Sequence, residues 1–148
     1  MKKAQSALEY LLTYGWAILI IIIVAAALYA MGVFNPAAWS GKRVTGLTYF
    51  QVIDWKYTTG GNLSMVLGNK YGKTANVTRI TANCAGTTKN VTPNIVLAPN
   101  KDTTQVITAL PALSAGGAVN CDVSINFRDT QTQFTHTDFG TLSGSTET

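Results

Sequence analysis

Few side chains in this sequence have the type and spacing to do chemistry. His136 is the only histidine, and Asp138 stands two residues after it. In a strand, positions i and i+2 face the same way, so the two can share a face as a base and its orienting carboxylate. A hydrolase would also need a positioned nucleophile, and none of the many Ser and Thr residues lies in a nucleophile-elbow motif. The spacing therefore predicts a strand histidine, no catalytic residue and no enzyme. The carboxylates of Asp54, Asp102, Asp122, Asp129 and Asp138 lack the dense spacing of a calcium loop. No glycine-rich phosphate loop leads from a strand into a helix, so no cofactor and no metal are expected.

Two cysteines, Cys84 and Cys121, could pair. An even count in an exported domain favours a disulfide, with two buried thiols as the alternative. Zinc is disfavoured because no further Cys or His pair stands at ligand spacing. Three sequons, Asn62-Leu63-Ser64, Asn76-Val77-Thr78 and Asn90-Val91-Thr92, mark candidate N-glycosylation acceptors at Asn62, Asn76 and Asn90.

The remaining reactive group is Glu9, at the edge of a long apolar run. Between Glu9 and Lys42 no residue is charged, and Ala17 to Leu28 has no polar side chain. A helix needs roughly 20 mostly apolar residues to cross a bilayer, and this stretch exceeds that. A helix from Gln5 to Met31 would measure about 40 Å at 1.5 Å per residue. Lys2 and Lys3 before it orient that end towards the cytoplasm and the rest outside. Gly32 and Asn35-Pro36 are its stop signals. Thr13 can return its hydroxyl to the backbone, and Gly15 can allow a close helix approach.

A plain uncleaved anchor fits this segment. An ordinary secretory signal, cut near Ala25-Ala26-Ala27 or Ala30, fits poorly because the apolar run starts so early. A hairpin or coiled coil lacks a partner segment. Lys2-Lys3-Ala4, then Gln5-Ser6-Ala7-Leu8-Glu9-Tyr10 and the apolar run, resembles the class III signal peptide of archaeal type IV pilin-like proteins. The resemblance covers about a fifth of the chain, and Ala4 stands where that family more commonly has glycine. It implies cleavage by a prepilin peptidase between Ala4 and Gln5, with the helix retained. It also implies an assembly ATPase and a membrane platform protein as partners, besides further copies of the chain. A carboxylate inside an apolar assembly seeks a positive partner. The new amino group of Gln5 on a neighbouring subunit is such a partner, so Gln5 and Glu9 are candidate register residues. Capping of the helix at the membrane interface is the plainer role for Glu9.

Charged residues make up only 12% of the chain, and the net charge of +4 comes from scattered lysines and arginines. Nucleic-acid binding needs a basic patch or helix, and none is present. After the linker the hydrophobic period falls from 3.6 to 2. Val119 to Phe127 alternates without a fault and puts Cys121 on the apolar face. Leu63–Leu67 alternates likewise, and Leu47–Ile53, Thr74–Ala82, Asn94–Ala98, Thr104–Leu110 and Gln133–Phe139 are further strands. The expected fold is α+β: a long N-terminal apolar helix and an immunoglobulin-like antiparallel β-sandwich. The expected segments are a signal peptide (1–4), helix (5–34), linker (35–43) carrying a packed Trp39, sandwich (44–140) and frayed tail (141–148). The function that the resemblance implies is a pilin, the structural subunit of a surface filament for adhesion or attachment. It begins as a membrane precursor with a cytoplasmic N-terminus. Alternatives are a monomeric anchored binding domain and a minor priming or tip subunit.

Overall fold

A computed structural model describes residues 2–31, 33–34 and 41–148, with the backbone alone for 2–4. The chain divides into two compact units, Met1–Pro36 and Ala37–Thr148. Gly32, Asn35-Pro36 and Trp39 lie outside the described residues, so the expected stop signals and the packing of Trp39 do too.

Among its described residues the first unit holds one helix, α1 (Lys2–Ala30). It starts three residues earlier than expected and ends four earlier. At its C-terminal end the Met31 amide donates to Ala27 O (2.9 Å) and the Val33 amide reaches back to Leu28 O (3.1 Å), satisfying carbonyls that have no helical partner.

Among its described residues the second unit holds nine strands: β1 (Arg43–Thr45), β2 (Phe50–Tyr57), β3 (Leu63–Asn69), β4 (Ala75–Cys84), β5 (Thr87–Val91), β6 (Ile95–Leu97), β7 (Asp102–Ile107), β8 (Ala118–Asp129) and β9 (Thr135–Ser145). They form two antiparallel sheets. The larger has the order β1-β9-β8-β4-β5, and β6 shares the edge of β4 with β5. The smaller has the order β2-β3-β7. Neither sheet closes on itself. An apolar helix followed by antiparallel sheets, α+β, is the architecture the period change predicts.

The period-2 pattern explains the core. Along β8, Val119, Cys121, Val123, Ile125 and Phe127 are buried while Asn120 and Asp122 face out. Leu63, Met65 and Leu67 of β3 and Val77, Ile80 and Ala82 of β4 join the same cluster, so both sheets supply one apolar core. Burying a side chain of this size stabilises by roughly 1.5–3 kcal/mol. Ile53 is apolar yet faces out, 56% exposed, on the same face as Gln51, and the bulge between Val52 and Asp54 resets the alternation so that Trp55 is buried. Glycine is required at Gly61, where φ is +77° and a Cβ would lie 2.1 Å from Leu110 O.

The C-terminal segment departs from expectation. Gly140–Thr148 is no frayed tail. β9 pairs with β8 without interruption from Thr135 opposite Arg128 to Ser145 opposite Ala118. Its small residues are there for packing: Leu142 is fully buried, and a Cβ on Gly144 would sit 3.0 Å from the Trp55 ring. Beyond β9, the Glu147 amide donates to Tyr57 O (2.8 Å), tying the chain end to the smaller sheet. The expected linker also ends early, because Arg43–Thr45 pairs with Thr141–Ser143 as β1.

Candidate functional site

Every residue of the 26-residue apolar stretch Gln5–Ala30 belongs to one helix; its most apolar 18 residues have a mean hydropathy of 2.5, and none of these is buried by the protein. By length and composition it can span a membrane, as an anchor or as a signal. From Ala17 to Leu28, Leu, Ile, Val and Ala lie all round the helix and leave no polar face to turn to water, so this part requires an apolar surrounding.

Glu9 and Gln5 are both exposed on α1. Because the helix begins at Lys2, Glu9 lies about two turns in, too deep for the dipole at the helix start to favour it strongly. Removal of the first four residues would bring it near the N-terminus. Thr13 donates its hydroxyl to Glu9 O at 2.8 Å, the back-bond expected for a threonine in an apolar helix. Tyr10 and Tyr14, one turn apart, hold their rings 4.4 Å apart. Gly15 leaves a notch of about 320 Å³ bordered by Leu11, Leu12, Trp16 and Leu19. Ala4 and Gln5 lie within the same helix, so the expected scissile bond sits in regular backbone.

In the second unit, Cys84 and Cys121 form a disulfide. They are directly opposed on β4 and β8, with Cα atoms 4.3 Å apart, the spacing of a non-hydrogen-bonded antiparallel pair. The disulfide fits an extracytoplasmic setting.

His136 and Asp138 do share a face of β9, but Asp138 is occupied elsewhere. Its carboxylate accepts the Thr48 amide (2.9 Å), the Tyr49 amide (2.8 Å) and the Phe50 amide (2.9 Å). Three successive amides form a nest for an anion, and the contact fastens the start of β2 to the larger sheet. His136 stacks on Phe127 at 5.3 Å and borders Tyr49 and Tyr71. Among the described residues no hydrogen bond joins His136 to Asp138.

Asp129, in sequence only one of five carboxylates without calcium-loop spacing, is fully buried. Its Oδ1 accepts the Gln131 (2.7 Å) and Thr132 (3.1 Å) amides, and Oδ2 accepts the Tyr71 hydroxyl (3.0 Å) beside Lys73 Nζ (3.5 Å). Burial pushes its pKa up, but those two amides, the hydroxyl and the lysine outweigh burial and hold it well below the usual aspartate range. Donating to Asp129 in turn raises the Tyr71 pKa. Asp followed by Thr-Gln-Thr is an Asx-turn signal, and that pattern could have found it. Lys42 Nζ bridges Glu147 (2.7 Å) and Asp54 (3.1 Å). The bond to Glu147 chiefly raises the Lys42 pKa, and the bond to Lys42 chiefly lowers that of Asp54.

The sequons differ in access. Asn62 is half-buried at the head of β3. Asn76 has a buried carboxamide oxygen without a hydrogen-bond partner. Asn90 is exposed on the edge strand β5. Among the described residues no three His, Cys, Asp or Glu side chains cluster as metal ligands.

Compared with known proteins, the chain matches no family model, no curated protein and no solved structure.

Proposed function

We propose that the chain is a pilin-like structural subunit, polymerising through α1 and displaying its β-domain at the cell surface. One observation carries the proposal: a 26-residue apolar helix whose most apolar 18 residues are not buried by the protein, attached to a separately compact β-domain. Such a helix needs lipid before assembly and other helices after it. Transfer between these two apolar surroundings gives little net hydrophobic drive, so close packing, a Glu9–Gln5 pairing and external work must supply the difference. In this scheme a prepilin peptidase cuts before Gln5, and an assembly ATPase with a membrane platform protein extracts the subunit.

The head supports an immunoglobulin-like arrangement. β2-β3-β7 follow the order of immunoglobulin strands A, B and E, and β9-β8-β4-β5 that of G, F, C and C′. The disulfide departs from that pattern, since it joins neighbours β4 and β8 within one sheet. An exposed Asn90 makes its sequon the favoured acceptor for surface glycosylation.

Electron microscopy of sheared surface material tests polymerisation. Filaments containing this chain support the proposal, whereas a chain found only in membranes as a monomer favours an anchored binding domain. A Glu9→Ala variant that is processed and still assembles at wild-type yield removes the pairing from the scheme.

A further inference from the structure

The outer face of the larger sheet carries a groove of about 400 Å³ that has no part in the core. Two cross-strand rows build it. Phe139, Ser124 and Thr81 stand opposite one another on β9, β8 and β4, and Thr141, Asp122 and Asn83 form the next row. With strands about 4.8 Å apart, each row spans about 10 Å. Phe139 is 66% exposed at one end.

The polar groups beside it are largely unused. Thr141 donates to one Asp122 oxygen at 3.1 Å. Among the described residues, the side chains of Asn83, Thr81 and Ser124 make no hydrogen bond within the protein. Together they offer hydroxyl and amide donors, and hydroxyl, amide and carboxylate acceptors, side by side. The lining contains one carboxylate and no basic residue.

That chemistry selects among occupants. A phosphate, a nucleic acid or an anionic sugar would meet Asp122 without a compensating cation. A protein partner is a poor match, since interface cores are depleted in Asp and Ser. A neutral saccharide meets every feature. The weakly positive C–H face of a sugar ring packs on the negative face of Phe139, and its hydroxyls reach the donors and acceptors of the two rows. We propose that this groove binds a neutral oligosaccharide from outside the chain, with Phe139 as platform and Asp122 and Asn83 as the principal hydrogen-bonding pair.

The test uses the full-length chain in detergent, applied to immobilised neutral hexose and N-acetylhexosamine oligosaccharides, with heparin as the anionic control. Saturable binding to at least one neutral oligosaccharide is expected. Phe139→Ala and Asn83→Ala should each weaken it by about tenfold. Ile53→Ala, on the smaller sheet's bulge, should leave it unchanged. Phe139 and Asn83 are exposed, and unaltered thermal unfolding will show that both variants fold. Failure to bind any neutral oligosaccharide overturns the proposal, as does a preference for heparin or binding that survives both groove variants. Asn90 pairs with Thr81 at the groove's far edge. Binding seen only after removal of an Asn90-linked glycan would assign the groove to the chain's own modification, and also overturn the proposal.

Discussion

Replacing Asp138 by alanine should be among the most damaging single changes in the β-domain. Its side chain is 3% exposed and accepts from the amides of Thr48, Tyr49 and Phe50. A hydrogen bond to a charged group contributes about 1.5–3 kcal/mol. The three do not add in full, because the amides of Thr48 and Tyr49 are only partly buried and can take up water. The Phe50 amide is buried and would lose its acceptor outright. The expected loss is therefore about 3–4 kcal/mol. Asp138→Asn keeps one acceptor oxygen but turns an NH2 group towards amides, so it should lose roughly half as much. Equilibrium denaturation of the full chain in detergent, followed by tryptophan fluorescence, reads both values. If Asp138→Ala costs under about 1 kcal/mol, the carboxylate is not the tie between β9 and the start of β2, and its pairing with His136 must be reconsidered.

Four further outcomes follow from the same structure. Reduction of the disulfide, or Cys84→Ser with Cys121→Ser, should cost up to about 4 kcal/mol, readable as a lowered denaturation midpoint. Asp129 has a depressed folded pKa, so its contribution is complete above the unfolded value near 3.8 and is lost as pH falls below it. Wild type should lose stability between about pH 5 and pH 2, and Asp129→Asn should flatten that slope while lowering the plateau at neutral pH. Gly61→Ala places a Cβ against Leu110 O at positive φ and should destabilise by about 2–4 kcal/mol in the same denaturation assay. Glu9→Ala should be processed normally yet lower filament yield by on the order of tenfold, the effect of about 1.4 kcal/mol per subunit.

The helix and the central strands were legible because their patterns are pure. Nothing but Leu, Ile, Val and Ala separates Trp16 from Tyr29, and only an apolar helix of that length satisfies its backbone in lipid. The alternation in β8 and β3 specified both strands and the inward face of Cys121. β1 and β5 were not legible, since short edge strands of Arg, Thr, Lys and Asn bury little and resemble turns. The end of β9 was missed because Thr, Ser and Gly read as a tail until Trp55 is seen packing against Gly144. His136 and Asp138 were rightly placed on one face. The amides that occupy Asp138 come from 88–90 residues away, and no local pattern announces them.

As the proposed pilin-like subunit, the chain keeps α1 after processing and reuses it for assembly. Intact-mass and N-terminal peptide spectrometry of the native protein test it most directly. The expected result is a mature chain beginning at Gln5 with Glu9 and the whole apolar helix present. A chain that keeps Met1, Lys2 and Lys3, or one cut after Ala27 or Ala30, would contradict it.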